Sequence, residues 1–289
     1  MTQITVQSPA KINLTLDVVG TREDGYHLLH SVVHTVGIYD TIRFRFGGEG
    51  MRFKCDQVEL CGDDNLCLKA ARAWARAAHR VLDVEIALEK TVPTGAGLGG
   101  GSSNAATVLQ TLNQHFDNAL DNSALLKIAT QLGADVPLFL RGKGFSDGCA
   151  LMEGIGEKLA PLRTFSGWLV VAQPMQTLST PQVFRKHDEL NIASSHATGR
   201  VLEAMNRGAT VCEIAPLLSN DLTGAALCFV PQIGSIITSM RDAGAINALM
   251  TGSGSAVFGM CESEKGAHRV REFLRSKHKL RFCAASQFL

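Results

Sequence analysis

The stretch PTGAGLGGGSSNAA, residues 93–106, has five glycines within positions 95–101, followed by two serines, an asparagine and two alanines. The alternating segment before it predicts a strand over 83–90, and apolar residues at helical spacing after it predict a helix over 102–116. Glycine adopts positive φ at little cost and leaves backbone amides accessible. A ligand can therefore approach this backbone closely. The three explanations to weigh are a dinucleotide, a nucleoside triphosphate and a tight turn without ligand.

The dinucleotide explanation rests on Gly95, Gly97 and Gly100, which match G-x-G-x-x-G between a strand and a helix. Three features oppose it. Residues 91–93 separate the strand from the first glycine, and the run follows several strands instead of the opening one. The acidic residue expected about twenty positions further on, at a strand end, would fall in a helical or turn region.

A Walker A loop does not fit either, because Ser102 is not preceded by the lysine of a Gly-Lys-Ser sequence. The physics shared by both loops remains. Successive glycine amides can point into one concavity, and a helix that begins near Ser102 adds unpaired N–H groups and its positive dipole end. Ser102 and Ser103 add hydroxyls. The stretch therefore predicts a polyphosphate-binding loop in preference to a ligand-free turn.

The composition is that of a globular protein, with 45% hydrophobic and 19% charged residues over 289 positions. This length suits one large domain or two of ordinary size. The 28 basic and 27 acidic residues nearly cancel, which argues against nucleic acid and anionic membranes as partners. The N-terminus lacks the pattern of an export or organelle leader, and no window approaches a membrane span. We therefore expect a cytoplasmic protein.

The eight cysteines include no C-x-x-C pair. The even spacing of Cys55, Cys61 and Cys67 is wider than the ligand pairs of zinc sites. We expect reduced cysteines that pack as small apolar side chains, without a disulfide framework.

The first half of the chain predicts strands separated by helices. Alternating segments over 3–7 and 12–19 predict strands, and segment 31–46 predicts two more with a turn near Tyr39 and Asp40. Residues 63–65 offer an N-cap for a helix to about residue 81. A further helix begins at a Ser123 cap, and Gly133 is expected to end it in the left-handed conformation.

The second half predicts the order β–α–β–β–α–β, which resembles a ferredoxin-like layer. Its predicted elements are a strand at 168–172, a mostly helical region at 181–226, a helix at 231–243, strands at 246–250 and 256–260, a helix at 264–276 and a strand at 280–285. The boundary between two domains is expected near 155–165, which divides the chain into 1–160 and 161–289.

The glycine run and several other segments together resemble one known family, the GHMP kinases. SPAKINLTLDV at 8–18, PTGAGLGGGSSNAA and LMTGSGSAVFG at 249–259 are similar to the three motifs of this family. Four more segments narrow the resemblance to members that act on a cytidine diphosphate-linked methylerythritol: REDGYHLLHS at 22–31, LGADVPLFL at 132–140, EGIGE at 153–157 and SNDL at 219–222. The seven motifs are collinear and span nearly the whole chain.

The resemblance implies an α+β, two-domain GHMP kinase fold. Its N-terminal domain, 1–160, would resemble domain 2 of ribosomal protein S5 and carry the phosphate loop and the catalytic groups. Its C-terminal ferredoxin-like domain, 161–289, would contribute to the substrate cleft. The implied partners are ATP with Mg²⁺ and a small-molecule alcohol, and the implied reaction is phosphoryl transfer.

Two residues have implied catalytic roles. Asp135 corresponds to the family's catalytic aspartate, which accepts the proton of the substrate hydroxyl, although an aspartate near a proline also suits a turn. Lys11 corresponds to a lysine that lies beside that aspartate in the family, although a lone lysine on a strand is usually solvated. Asn13 shares the strand face of Lys11, and the resemblance implies that it contacts substrate.

Three further residues have implied contacts with substrate. Tyr26 and His27, in the DGYH segment, would contact the cytidine and methylerythritol ends. Phe184 would stack on the cytosine ring, although a core aromatic is the simpler explanation. His27, His30 and His34 have a spacing that suits a metal site on a helix, but the surrounding pattern predicts a strand, so His30 and His34 are expected to be structural or surface residues.

The implied nucleotide site combines a loop with a helix cap. Asn65 would lie near adenine, although it also suits an N-cap. A second small-residue loop, 251–255, would support the phosphate loop, and a hairpin turn is its simpler explanation. The phosphate loop itself comprises Pro93, Gly95, Ala96, Gly97, Leu98, Gly99, Gly100, Gly101, Ser102 and Ser103.

Several points stay open. The metal ligands are unknown, with Ser103 as a guess, and the segment 142–149 is longer than is usual in the family. One alternative keeps the fold and changes the substrate to homoserine or mevalonate, which DGYH and the triple glycine oppose. The other is a dinucleotide-binding oxidoreductase.

Overall fold

The described residues contain eleven strands and nine α-helices. In the computed structural model, which describes residues 2–141 and 148–289, the strands are β1 (Thr2–Asn13), β2 (Asp17–Thr21), β3 (His27–Phe46), β4 (Met51–Cys55), β5 (Val84–Glu89), β6 (Cys149–Gly154), β7 (Lys158–Pro161), β8 (Trp168–Pro174), β9 (Asn247–Met250), β10 (Val257–Cys261) and β11 (Leu280–Gln287). The helices are α1 (Leu66–Ala77), α2 (Gly100–His115), α3 (Asn122–Leu132), α4 (Thr180–Glu189), α5 (Ala197–Asn206), α6 (Val211–Ile214), α7 (Thr223–Phe229), α8 (Gln232–Asp242) and α9 (Glu264–Lys277).

The chain forms two compact units. The first takes its described residues from Met1–Ala10, Ile38–Val92 and Gly99–Asp147, and the second from Lys11–Gly37, Pro93–Leu98 and Gly148–Leu289. The division at residue 160 stays a prediction. Six of the eight residues in the long segment 142–149 lie outside the described part of the chain.

The first unit contains the helices α1, α2 and α3 and a sheet that includes β4, β5 and the later part of β3. β4 runs parallel to β5, and β5 runs antiparallel to the later part of β3. Trp74 of α1 is fully buried and stacks on Phe116 with ring centroids 5.1 Å apart. Its indole N–H donates to Asn113 of α2 at 3.2 Å, which satisfies the polar atom of this buried side chain.

The helix ends of the first unit match the sequence predictions in part. Asn65 caps α1 as predicted, with its side chain accepting from the amide of Cys67. The cap of α3 is Asp121, two residues before the predicted Ser123. The predicted left-handed Gly133 is wrong, because this residue has a φ of 165°, which is extended backbone.

The predicted turn near Tyr39 and Asp40 is also wrong, since β3 continues through both residues to Phe46. Asp40 is fully buried within the strand, and its carboxylate accepts hydrogen bonds from the amides of Thr91 and Val92, both at 2.8 Å. These partners satisfy a charge that would otherwise favour an exposed turn.

The second unit contains the predicted ferredoxin-like layer. Its four-stranded antiparallel sheet has the order β11-β8-β10-β9. Buried side chains of α8 and α9, among them Ile233, Ile236 and Val270, share one apolar cluster with Val170 of β8 and Val257 of β10. The first part of β3 pairs in this unit with β2 and β6, and β6 pairs with β7. The predicted β–α–β–β–α–β order is therefore confirmed.

No single helix among residues 2–141 and 148–289 is long and apolar enough to span a membrane. Only α7 and α8 taken as a pair, bent by 118°, reach that length and composition.

All eight cysteines are thiols, but the predicted packing as small apolar side chains holds only for the four buried ones, Cys67, Cys149, Cys261 and Cys283. Burial raises the pKa of Cys67 and Cys149 to about 12 and that of Cys261 and Cys283 to about 11. Their thiolate form, which is the nucleophile, is therefore scarce at neutral pH. The thiols with exposed residues are Cys61, Cys212 and Cys228.

Iodoacetamide at pH 8 is expected to label Cys61, Cys212 and Cys228 first, because these three residues are exposed. The four buried thiols should stay unlabelled over the same time. Mass spectrometry of tryptic peptides reads out each site, and labelling in guanidinium, where all eight should react, is the control. Labelling of a buried cysteine at the rate of Cys61 in the native protein would contradict this burial.

Candidate active site

Two loops of the second unit meet backbone to backbone. Gly97 has a φ of 77°, and a Cβ added there would lie 2.6 Å from the carbonyl oxygen of Thr251. The amide of Ala256 donates to the carbonyl of Ala96 at 3.2 Å. Gly252 has a φ of 57°, and a Cβ added to Gly252 would lie 3.2 Å from the carbonyl oxygen of Gly97. The loop 251–255 thus lies beside the loop 93–98, in the supporting position that the sequence predicted.

Helix α2 begins at Gly100, two residues before the predicted start. Gly99 precedes it in the left-handed conformation, with a φ of 67°. The first amides of a helix have no partner within it, so this turn offers N–H donors and the positive dipole end. Gly101 is exposed and Ser102 half-buried, whereas Ser103 is fully buried. The accessible groups of this turn are therefore Gly101 and Ser102.

Lys11 and Asn13 share one face of β1, as predicted. Lys11 is buried, and its ammonium donates to Asn13 Oδ1 at 2.8 Å. The Asn13 amide nitrogen donates to the hydroxyl of Ser31 at 2.9 Å, and the Asn13 backbone N–H donates to Thr251 Oγ1 at 2.9 Å. This chain of hydrogen bonds fixes the orientation of the Asn13 side chain and ties β1 to the loop 251–255.

The three predicted substrate contacts from DGYH and α4 also fall in the second unit. His27 begins β3, and its ring stacks on Phe184 of α4 with centroids 4.6 Å apart. His27 Nε2 lies 2.7 Å from a carboxylate oxygen of Asp188, a partner that the sequence did not reveal. Tyr26 lies on the connection between β2 and β3 and is 61% exposed, so its ring is open to a ligand. His34 is buried against Phe165 and Phe288, which supports its predicted structural role.

The first unit contains two predicted site residues outside the loop. Asp135 is half-buried in a turn closed by the Val136 amide and the Gly133 carbonyl at 3.1 Å. Asn65 uses both ends of its amide, accepting from Cys67 N at 2.8 Å and donating to the Leu60 carbonyl at 2.8 Å. The turn and the cap are therefore both present, and neither excludes a ligand at the remaining accessible atoms.

The sequence missed two polar residues that hold these loops. Lys90 pairs with Asp40 in the interior of the first unit, where their side chains are 3% and 0% exposed. Asn220 of the SNDL segment donates to the carbonyls of Met250 and Gly252 at 2.9 and 2.8 Å, and so fixes the second loop from the other side. The sequence contains one signal for the Lys90–Asp40 pair, because Asp40 is a charged residue within an apolar strand pattern.

Comparison with known proteins identifies the family. The model of the GHMP kinases N-terminal domain matches residues 65–143, and that of the GHMP kinases C-terminal domain matches residues 201–280. A 4-diphosphocytidyl-2-C-methyl-D-erythritol kinase of Geobacter sulfurreducens is 36% identical over 96% of both chains. The chain belongs to this family of GHMP kinases. The corresponding kinase of Desulfitobacterium hafniense is 36% identical over 96% of this chain and 93% of its own.

Solved structures agree with this assignment and with the two-domain α+β fold. A crystal structure of a 4-(cytidine 5'-diphospho)-2C-methyl-D-erythritol kinase superposes with a TM-score of 0.84 at 35% identity, covering 99% of each chain. A homoserine kinase of Cytophaga hutchinsonii has a TM-score of 0.73 at 17% identity, and the match covers 99% of this chain and 94% of that kinase. The second likeness concerns the fold alone. The kinase described here is therefore a phosphotransferase with the expected GHMP architecture, and the dinucleotide-binding oxidoreductase is excluded.

Proposed function

We propose that this kinase transfers the γ-phosphoryl group of ATP to the 2-hydroxyl of 4-diphosphocytidyl-2-C-methyl-D-erythritol, in the non-mevalonate route to isoprenoid precursors. The supporting observation is the 36% identity, over 96% of both chains, with kinases named for this substrate. A homoserine kinase and a mevalonate kinase among the solved structures are 17% and 16% identical and support only the shared fold. Since ATP is the phosphoryl donor, the proposal includes a cytoplasmic location.

The proposed reaction needs a proton acceptor and a cation at the reacting hydroxyl. The bond between the γ-phosphorus and the β,γ-bridging oxygen breaks, and a bond forms from the γ-phosphorus to the 2-hydroxyl oxygen. We assign the hydroxyl proton to the carboxylate of Asp135, whose place in a half-buried turn leaves it accessible. Lys11 would supply positive charge to the substrate hydroxyl, and Asn13, held by Lys11 and Ser31, would hydrogen-bond substrate.

The cytidine end of the substrate would bind at the aromatic group of the second unit. Phe184 and His27 already stack on each other, and an aromatic face of this kind suits a nucleobase. The exposed ring of Tyr26 adds a second aromatic surface on the loop before β3. The contact of His27 with Asp188 restrains the orientation of the imidazole.

ATP would be held chiefly by backbone. Residues 93 and 95–103 form the proposed phosphate loop, because Gly95, Gly97 and Gly99 have positive φ and helix α2 begins at Gly100. Asn65 would lie near adenine. Mg²⁺ would neutralise charge on the β- and γ-phosphates. We propose that phosphate oxygens and water supply most of the ligands of this ion.

The assay that tests this function couples ADP release to NADH oxidation, with the cytidyl substrate and with homoserine and mevalonate as controls. Turnover is expected with the cytidyl compound alone. The product is expected to show a new phosphomonoester signal by ³¹P NMR, assigned to the 2-position. Turnover with homoserine or mevalonate and none with the cytidyl compound would overturn the substrate assignment and leave the kinase fold intact.

A further inference from the structure

Five polar side chains of the first unit form one buried hydrogen-bonded group, which we call the Lys90 cluster: Ser8, Asp40, Lys90, Ser103 and Asn104. Every member is buried to more than nine-tenths. The Lys90 ammonium contacts Asp40 and lies 3.3 Å from Asn104 Oδ1. The Asn104 amide nitrogen donates to Asp40 at 2.9 Å and to Ser8 Oγ at 3.0 Å, and Ser8 donates to Ser103 Oγ at 2.7 Å.

Stability alone is a poor explanation for this cluster. Removing a lysine and an aspartate from water costs several kcal/mol per ion, and apolar residues of similar volume are often as stable or more so. The hydrogen bonds, in contrast, determine geometry. The Asn104 amide cannot rotate by half a turn without placing its nitrogen against the Lys90 ammonium, so its two ends are fixed. The cluster therefore fixes the orientation of its members more than it lowers the energy of the fold.

The cluster lies against the first turn of α2. A Cβ added at Gly100 would be 3.1 Å from the Lys90 ammonium and 2.9 Å from Val92 Cγ1. Ser103 and Asn104 belong to this same turn and face inward, whereas Gly101 is exposed and Ser102 half-buried on its other side. The cluster thus holds the turn from the interior side, opposite the groups that solvent can reach.

We propose that the Lys90 cluster is a positioning device for polyphosphate binding, in which Lys90 acts through Asn104 and Ser103 and does not touch the ligand. This role rests on the proposed function, because it takes the triphosphate of ATP as the ligand at the first turn of α2. Ser103 accordingly is a positioning residue, since its hydroxyl is used by Ser8 and no atom of it is accessible. The N–H groups of the turn bind phosphate only in one orientation, which the cluster sets.

The main test is the double variant Asp40→Asn/Lys90→Met. It removes both charges together, so that neither is left buried alone, and the new amide oxygen can still accept from the amides of Thr91 and Val92. The dissociation constant of ATP, measured by calorimetry, is expected to rise at least about tenfold, which is the loss of one to two well-placed hydrogen bonds. The KM of the alcohol substrate is expected to change by less than about twofold, because the cluster packs against the turn that is assigned to ATP. A uniform loosening of the fold would instead weaken the binding of both ligands.

Asn104→Ala is the second variant, because it keeps the ion pair and removes the hydrogen bonds of Asn104 with Ser8, Asp40 and Lys90. It is expected to weaken ATP binding in the same direction by about threefold to tenfold. Lys54→Met is the matched control, since Lys54 also pairs with a carboxylate of this unit, at 2.9 Å, but is 61% exposed. It should leave ATP binding unchanged.

Unchanged ATP affinity in a folded Asp40→Asn/Lys90→Met or Asn104→Ala variant would overturn the proposal, even if the melting temperature falls. An equal loss for both substrates would also overturn it. The calorimetric measurement needs no alcohol substrate. A failure of the substrate assignment therefore leaves ATP binding measurable, and the two failures are distinguishable.

Discussion

Replacing Asp135 with asparagine is expected to lower kcat by about 100- to 10,000-fold, the usual contribution of a positioned general base. Asparagine has the same shape and can still hydrogen-bond a hydroxyl, but it cannot accept its proton at neutral pH. Because the change leaves the turn between Gly133 and Val136 intact, the fold should be kept. The ADP-release assay gives kcat, and calorimetry should show that the dissociation constant of ATP stays within about threefold of the wild type.

Asp121→Asn is the matched control for this prediction. Asp121 and Asp135 flank the same helix, α3, and Asp121 caps its start by accepting from the amide of Ala124 at 2.8 Å. Asparagine caps helices as well as aspartate does, so this variant should keep both stability and turnover. If Asp135→Asn retained more than about a tenth of the wild-type kcat, the proton would have another acceptor.

The ferredoxin-like half of the fold was predictable because its signals are local. Runs of apolar residues mark β8, β9 and β10, and Gly244 follows the end of α8 in the left-handed conformation. The error at β3 has the opposite cause. Asp40 is a turn former by local rules, and the partners that keep it within the strand, Lys90 to Val92, lie about fifty positions away.

The candidate site shows the same division between local and distant information. The proposed phosphate loop was visible in one stretch because glycines concentrate there, and the loop 251–255 was visible through the TGSGS segment. What the sequence could not show is which polar residues hold these loops and the His27 imidazole in place. Lys90, Asp188 and Asn220 act through contacts with residues more than ten positions away, and each of them reads locally as an ordinary surface residue.

Gly97→Ala is expected to destabilise this kinase through both backbone strain and a steric clash. The added Cβ would lie 2.6 Å from the carbonyl oxygen of Thr251, closer than carbon and oxygen approach in proteins, and the backbone has a φ of 77°. The left-handed conformation costs a non-glycine residue roughly 1–2 kcal/mol, and forcing the packed loops apart adds about 1–3 kcal/mol. A loss of about 2–5 kcal/mol in the free energy of unfolding follows, measured by urea denaturation.

Two alanine substitutions separate the strain from the clash in that prediction. Gly25 belongs to the same unit and has a φ of 85°, but a Cβ there meets nothing within 4 Å, so Gly25→Ala should cost only the roughly 1–2 kcal/mol of backbone strain. Gly101 lies within α2, where a Cβ would make an ordinary contact at 3.5 Å, and alanine favours a helix by about 1 kcal/mol. Gly101→Ala should therefore preserve or raise stability. If Gly97→Ala cost no more than Gly25→Ala, the loop 251–255 would yield freely to the loop 93–98. Its backbone contact could then not be what holds the proposed phosphate loop in shape.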